Sequence, residues 1–221
     1  MKLIRSRLHR LGWVLLALLW VGGPTLAAAQ PNKPAKKSNK DEVVTITTSQ
    51  GVIRLVLFDD TPLHKANFLQ KAKSGFFDGT TFHRVIPDFM IQGGDGNSKD
   101  SDPDNDGLGQ SSEGTIPAEF VVGHQHNYGA VAAARQSDFV NPQRASSSTQ
   151  FYLVQNHEGS HFLDGQYTVF GQVIQGLDVI DKIANLPRDA RDRPLVNIKM
   201  TVKVDKLKRK KITQLYKYNY Q

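Results

Sequence analysis

Between Val43 and Val204 the apolar residues come in short runs separated by Gly and Pro, and this segmentation limits the possible folds more than any other feature. Val43-Val44-Thr45-Ile46-Thr47 and Val52 to Phe58 are rich in β-branched residues and flank Ser49-Gln50-Gly51, which reads as a hairpin. Further short runs lie at Thr81 to Val85, Phe89 to Gln92, Ala130 to Ala134, Phe151 to Gln155 and Val169 to Val173, with Ile198 to Val204 as the last. Only two stretches carry helical spacing. Thr61-Pro62 offers a cap and first turn ahead of Leu63, Ala66, Leu69 and Ala72, and Leu177, Val179, Ile180 and Ile183 precede the stop at Pro187. Many short strands with two helices predict a mainly β chain, an antiparallel barrel whose ends are capped by the two α-helices.

The charge of the whole chain, +7 over 221 residues, suggests a nucleic-acid partner until it is divided by position. The Asp41 to Asp205 body holds 14 Lys and Arg against 21 Asp and Glu, a balance of −7, so the positive charge is terminal and no nucleic-acid partner is expected. Lys2, Arg5, Arg7 and Arg10 precede the uncharged run Leu11 to Val21, the breaker Gly22-Gly23-Pro24 and the small residues Ala27-Ala28-Ala29. Residues 1–29 therefore read as a secretory signal cleaved before Gln30, with an uncleaved anchor as the alternative. The predicted order is then a basic flexible linker at 30–41, a folded domain at 42–205 and a basic, solvated tail at 206–221. Export to the periplasm of a Gram-negative bacterium, with no stable membrane insertion after cleavage, follows as the expectation. Cysteine is absent, so the core must suffice without disulfides.

Phe82-His83-Arg84-Val85-Ile86-Pro87-Asp88-Phe89-Met90-Ile91-Gln92-Gly93-Gly94-Asp95 sets one fixed cation among large apolar side chains and ends in a glycine pair. That combination suits a ligand that is apolar yet carries a carbonyl. The stretch resembles the signature of the cyclophilin-type peptidyl-prolyl cis-trans isomerases. Two further blocks agree in order: Ser148-Thr149-Gln150-Phe151-Tyr152-Leu153, and Phe162-Leu163-Asp164-Gly165-Gln166-Tyr167-Thr168-Val169-Phe170-Gly171. The resemblance implies a closed eight-stranded barrel and an enzyme that needs no cofactor, acts as a monomer and takes unfolded or partly folded proline-containing polypeptides. A groove that holds proline segments as a holdase or assembly factor, with incidental turnover, is the competing function.

Prolyl isomerisation has to pass a barrier of about 18–20 kcal/mol set by amide resonance. A guanidinium that donates to the proline nitrogen as it pyramidalises acts more strongly on the twisted transition state than on either planar ground state. Arg84 suits that role, because arginine stays charged and presents rigid donors. The resemblance implies that Gln92 bonds the substrate carbonyl or holds Arg84. It also implies an apolar seat of Phe89, Met90, Tyr152 and Leu163, with Phe162 on the rim, Ala134 and Arg135 beside the substrate backbone, and Gln150 and Tyr167 completing the site. Tyr152 and Tyr167 are expected to bring two hydroxyls to the pocket edge.

The pairs His124/His126 and His157/His161 read as surface or loop histidines, and His83 as a structural residue. Asp102, Asp104, Asp106 and Glu113 match the D-x-D-x-D-G-x5-E spacing of calcium loops, but Gly109 stands where an apolar residue is usual and no helix pair flanks the segment. An acidic solvated loop without metal is the preferred reading, with calcium as the alternative.

Overall fold

The computed structural model of the protein describes residues 38–110 and 112–220. The signal-like segment and most of the linker lie outside them. Among the described residues, no helix is long and apolar enough to cross a membrane. In chain order the elements are β1 (Lys40–Thr48), β2 (Gly51–Leu57), α1 (Pro62–Lys73), β3 (Phe82–Ile86), β4 (Met90–Gly93), β5 (Thr115–Ile116), β6 (Ala130–Ala133), β7 (Ser146–Ser147), β8 (Phe151–Val154), β9 (Val169–Gln175), α2 (Leu177–Ala184), β10 (Thr201–Lys208) and α3 (Arg209–Tyr216).

Eight strands form one antiparallel sheet in the order β10-β1-β2-β9-β6-β8-β4-β3, and β5 pairs separately with β7. The closed barrel expected from the sequence is not formed. β10 is paired along its whole length with β1, from Thr47↔Thr201 to Lys40↔Lys208, and no ladder joins its other edge to β3. The two edges meet through the bridge Thr81↔Lys199 and the bonds beside it, Phe82 N–H to Ile198 O at 3.0 Å, Met200 N–H to Thr80 O at 2.8 Å and Gly79 N–H to Met200 O at 2.9 Å. The sheet is thus an open one curled until its edges touch at one place.

Around β6 and β8 both faces of this sheet are covered, which is why these strands read as continuous apolar runs. In β8, Phe151 and Leu153 enter the main core with Val131 and Ala133 of β6, whereas Tyr152 and Val154 join Ala130 and Ala132 in a second cluster on the opposite face. The period-two alternation of a strand divides them. α1 and α2 bury Phe68, Leu69, Ala72, Val179, Ile180, Ile183 and Ala184 in the main core. α2 occupies the expected residues. At the start of α1 the expected cap differs, since the Thr61 hydroxyl makes no cap bond. The Glu119 carboxylate takes its place from outside the helix, accepting from Leu63 N–H at 3.0 Å and His64 N–H at 2.9 Å. A carboxylate at a helix N-terminus also suits the helix dipole.

The tail departs most from its sequence reading. Instead of a solvated end it completes β10 and forms a third helix, α3, which buries Ile212 against Val43 and Val56, with Tyr216, Tyr218 and Tyr220 packed around them. Arg209 bonds Asp59 at 2.5 Å, and Lys65 reaches both Asp41 and Asp59 at 2.8 Å, so a charge cluster pins the tail to β1. Asp41, which the linker was expected to include, is buried in that cluster. Lysines still occupy the solvent side of β10, where they blunt an exposed sheet edge.

Candidate active site

The groove lies on the second face of the sheet, across β3, β4, β8 and β6, and has a volume of about 400 Å³. Its key geometric device is a β-bulge. Phe82 faces Gly93 and Arg84 faces Gln92, so β3 spends one residue more than β4, and that residue is His83. Were β3 a regular strand with His83 paired in turn, Arg84 would share the face of Phe82. With the bulge, Phe82 and Val85 both enter the main core while Arg84 turns out into the groove. Arg84 is exposed, and among the described residues its guanidinium has no ion pair and no hydrogen bond. The glycine pair at the end of β4, Gly93-Gly94, allows the chain to leave the sheet at this point. Gly94 has φ of 90°, and a Cβ there would meet Thr149 O at 2.5 Å.

Gln92, opposite Arg84, donates from Nε2 to Gln150 Oε1 at 3.0 Å, and Gln150 donates in turn to Gly107 O at 3.1 Å. Gln92 therefore spends one amide donor on the groove wall and makes no bond to Arg84. The apolar floor consists of Met90 and Tyr152, both buried, with Phe89, Leu163, Ala134 and Tyr167 half-buried around them. Arg135 stacks over the Tyr167 ring at 4.3 Å and holds Gln166 O at 2.9 Å and Asp138 at 2.5 Å, so it supports Tyr167 rather than facing solvent. Phe162 is 66 % exposed and stands beside the groove, its ring 5.7 Å from Phe89. Of the residues anticipated from sequence, Arg84, Phe89, Met90, Gln92, Ala134, Arg135, Tyr152, Leu163 and Tyr167 line the groove together, while Gln150 stands behind Gln92 and Phe162 outside the lining.

The Tyr152 hydroxyl does not enter the pocket. It is bonded to His126 Nε2 at 2.9 Å, and His126 Nδ1 lies 2.8 Å from Asp164 Oδ1. Asp164 also takes His126 N–H at 2.8 Å and lies 2.9 Å from His161 Nδ1. His126, expected as a surface or loop histidine, lies in a loop but is fully buried. Its burial outweighs the Asp164 carboxylate and lowers its pKa, whereas burial raises Tyr152 far above the ordinary tyrosine value.

The opposite wall was not anticipated. Pro103, Asp106, Gly107 and Leu108 from the acidic loop, with Arg191 and Arg193 from the segment after α2, line the groove alongside His83. Asp95, fully buried, folds the loop back by accepting from Asn97 N–H and Gly109 N–H, each at 3.0 Å. Asp192 O accepts from Val85 N–H at 2.8 Å and ties the arginine segment to β3. No motif marks the contact between Val85 and Asp192, which lie 107 positions apart. His83 is 5 % exposed, neither ring nitrogen has a partner, and burial lowers its pKa despite the nearby Asp95 and Asp106 charges.

The calcium reading does not fit this arrangement. Asp106 is paired with Arg193 at 2.6 Å, Asp104 with Arg191 at 2.9 Å, and Glu113 Oε2 accepts from Thr149 Oγ1 at 2.6 Å. The carboxylates are directed to separate partners, and no cluster of three or more His, Cys, Asp or Glu suited to a metal occurs among the described residues. The other histidines meet carboxylates singly, His124 with Asp60 and His157 with Asp181.

On this curled sheet an arginine without an ion pair among the described residues stands beside an apolar floor. The family model described as cyclophilin type peptidyl-prolyl cis-trans isomerase/CLD matches residues 43–204. The chain belongs to that family, and its activity is peptidyl-prolyl cis-trans isomerisation. It is 39% identical over 153 residues to a peptidyl-prolyl cis-trans isomerase of Acinetobacter baylyi, covering 66% of this chain and 73% of that one. It is 34% identical over 168 residues to a peptidyl-prolyl cis-trans isomerase-like 2 of Rhizopus delemar, covering 75% of this chain but only 29% of that longer protein. A crystal structure of a Cryptosporidium parvum cyclophilin type isomerase in the presence of the dipeptide Ala-Pro superimposes with a TM-score of 0.63 at 26% identity, covering 74% of this chain and 98% of the other.

Proposed function

We propose that the protein isomerises X-Pro bonds in unfolded or partly folded polypeptides of the bacterial envelope, using Arg84 as its catalytic group and the Phe89, Met90, Tyr152 and Leu163 floor as the seat of the proline ring. The observation that carries this reading is Arg84, exposed and unpaired at the mouth of an apolar groove. Five guanidinium N–H donors are free to meet a proline nitrogen whose lone pair localises as the amide twists. No nucleophile, proton transfer or metal enters this step. Gln92 has a second amide hydrogen and its own carbonyl available to orient a substrate carbonyl, because only one donor is used on Gln150. Phe162 shields the ring from the rim, and Ala134 offers main-chain groups beside it. A free cation favours catalysis over simple holding, since the apolar seat alone would retain a proline segment. The exported location is supported by the cationic start, apolar run and small residues of the first 29 positions.

The test is isomerisation of a short prolyl peptide followed by NMR exchange. Arg84→Ala should lower kcat/KM at least tenfold, about 1.4 kcal/mol of transition-state stabilisation, with circular dichroism unchanged. Activity within twofold of the parent protein would remove Arg84 from the mechanism. For location, fractionation of a Gram-negative host should recover a soluble periplasmic form beginning at Gln30. A membrane-pellet form retaining Leu11 to Val21 would contradict it.

A further inference from the structure

His126 is bonded to both the floor of the groove and its rim. Its main chain holds the rim turn twice, its N–H donating to Asp164 Oδ1 at 2.8 Å and its carbonyl accepting from Ser160 N–H at 2.8 Å. The turn between those two contacts, His161–Leu163, carries the rim phenylalanine and the seat leucine. Its side chain bridges the same turn to the floor. Asp164 as a carboxylate can only accept, so the hydrogen on His126 resides on Nδ1, and Nε2 is left to accept from the Tyr152 hydroxyl. Burial, which depresses the imidazole and raises the phenol, keeps both groups in the neutral forms this pattern requires.

We propose that His126 is a positioning residue for the isomerase reaction, holding the Tyr152 ring flat in the floor by accepting its hydroxyl away from the groove. This rests on the reading that the groove seats the proline ring. Tyr152 is 5 % exposed, and a hydroxyl in such a place must find a partner. Without the histidine acceptor its nearest relief is the water of the groove. Turning toward that water swings the ring into the space proline occupies. Phenylalanine at position 152 carries no hydroxyl and makes no such demand. The His126–Asp164 pair is therefore the device that allows tyrosine, with its polar end, to serve as an apolar floor.

The experiment is a double-mutant cycle on kcat and KM for a short prolyl peptide, with thermal unfolding measured in parallel. His126→Leu removes the acceptor, keeps both main-chain ties and should raise KM enough to lower kcat/KM about tenfold. Measured against Tyr152→Phe as its own reference, the double variant should differ by less than threefold, a rescue by deletion of the hydroxyl. A leucine variant within twofold of the parent would overturn the proposal, as would a double variant about tenfold slower than Tyr152→Phe. A purely structural role would lower the melting temperature of both His126 variants without that rescue of KM. The unmodified protein gives an independent readout that does not depend on variants folding. Nitrogen-15 spectra should show His126 as the Nδ1–H tautomer with a signal that shifts when prolyl peptide saturates the groove, and an Nε2–H tautomer would equally overturn the proposal. Arg84→Ala separates the two levels. If it loses activity while the cycle shows no rescue, the His126 proposal falls alone; if it keeps activity, the groove assignment falls.

Discussion

The two walls of the groove are built in different ways. The strand wall, with Met90, Tyr152 and Arg84, takes its shape from buried packing and a sheltered hydrogen-bond chain through His126 and Asp164. The loop wall, with Asp104, Asp106, Leu108, Arg191 and Arg193, takes its shape largely from ion pairs, and Leu108 at its lip is 74 % exposed. Buried contacts are short, unscreened and costly to disturb, whereas an exposed ion pair such as Asp104–Arg191 contributes little and weakens with salt. Rigidity and chemistry therefore sit on one side of the groove, and adjustability on the other.

The largest effect expected from this difference is at the floor. Tyr152→Ala empties a buried aromatic site and strands the His126 acceptor, and should destabilise the fold by about 3–5 kcal/mol in denaturant titration. A loss below about 1 kcal/mol would show that the strand wall is not the rigid one.

Acid should act next, and again through buried groups. Burial holds His64, His83 and His126 below the ordinary histidine value of about 6.5. Near that pH the unfolded chain takes up protons that the folded chain refuses, so the unfolded state binds more of them and stability falls as pH drops. Glu119 and Asp164 add to the loss at lower pH. Burial pushes both upward, but hydrogen bonds and the adjoining histidines outweigh it and hold them below the ordinary range. The melting temperature should fall steadily from pH 7.5 to 5 and more steeply below. A flat profile between pH 7.5 and 5.5 would contradict the burial of these imidazoles in neutral form. The smallest effect belongs to the loop wall, where Asp104→Asn breaks an exposed pair with Arg191 and should cost less than about 1 kcal/mol. A larger cost would erase the contrast between the walls.

How far each wall was legible in the sequence follows the same division. Strands with a strong apolar run, such as Phe151 to Val154, and the helix at Leu177–Ala184 were evident because burial on both faces or on one stripe dictates composition. Arg84 could be chosen by residue type and resemblance, but not its face. A plain period-two reading places it beside Phe82, and only the bulge at His83 reverses that. The loop wall was hidden because Arg193 meets Asp106 across 87 positions with no local pattern. His126 and Asp164 were hidden likewise, with one available signal: a tyrosine in an apolar seat implies a buried acceptor. The ordered tail escaped because α3 buries a single residue, Ile212, which leaves almost no periodicity to detect. The open edge escaped because strand identity does not fix where the last strand ends its pairing.

The most direct measurement compares two arginines of the same groove. Arg84 on the strand wall is free, whereas Arg191 on the loop wall is engaged with Asp104. Prolyl-peptide exchange rates for Arg84→Ala and Arg191→Ala, taken under the same salt and pH, should show kcat/KM lowered at least tenfold in the first and less than threefold in the second. Equal losses, or a larger loss at Arg191, would mean that charge in the groove rather than a positioned guanidinium on the strand wall drives the reaction.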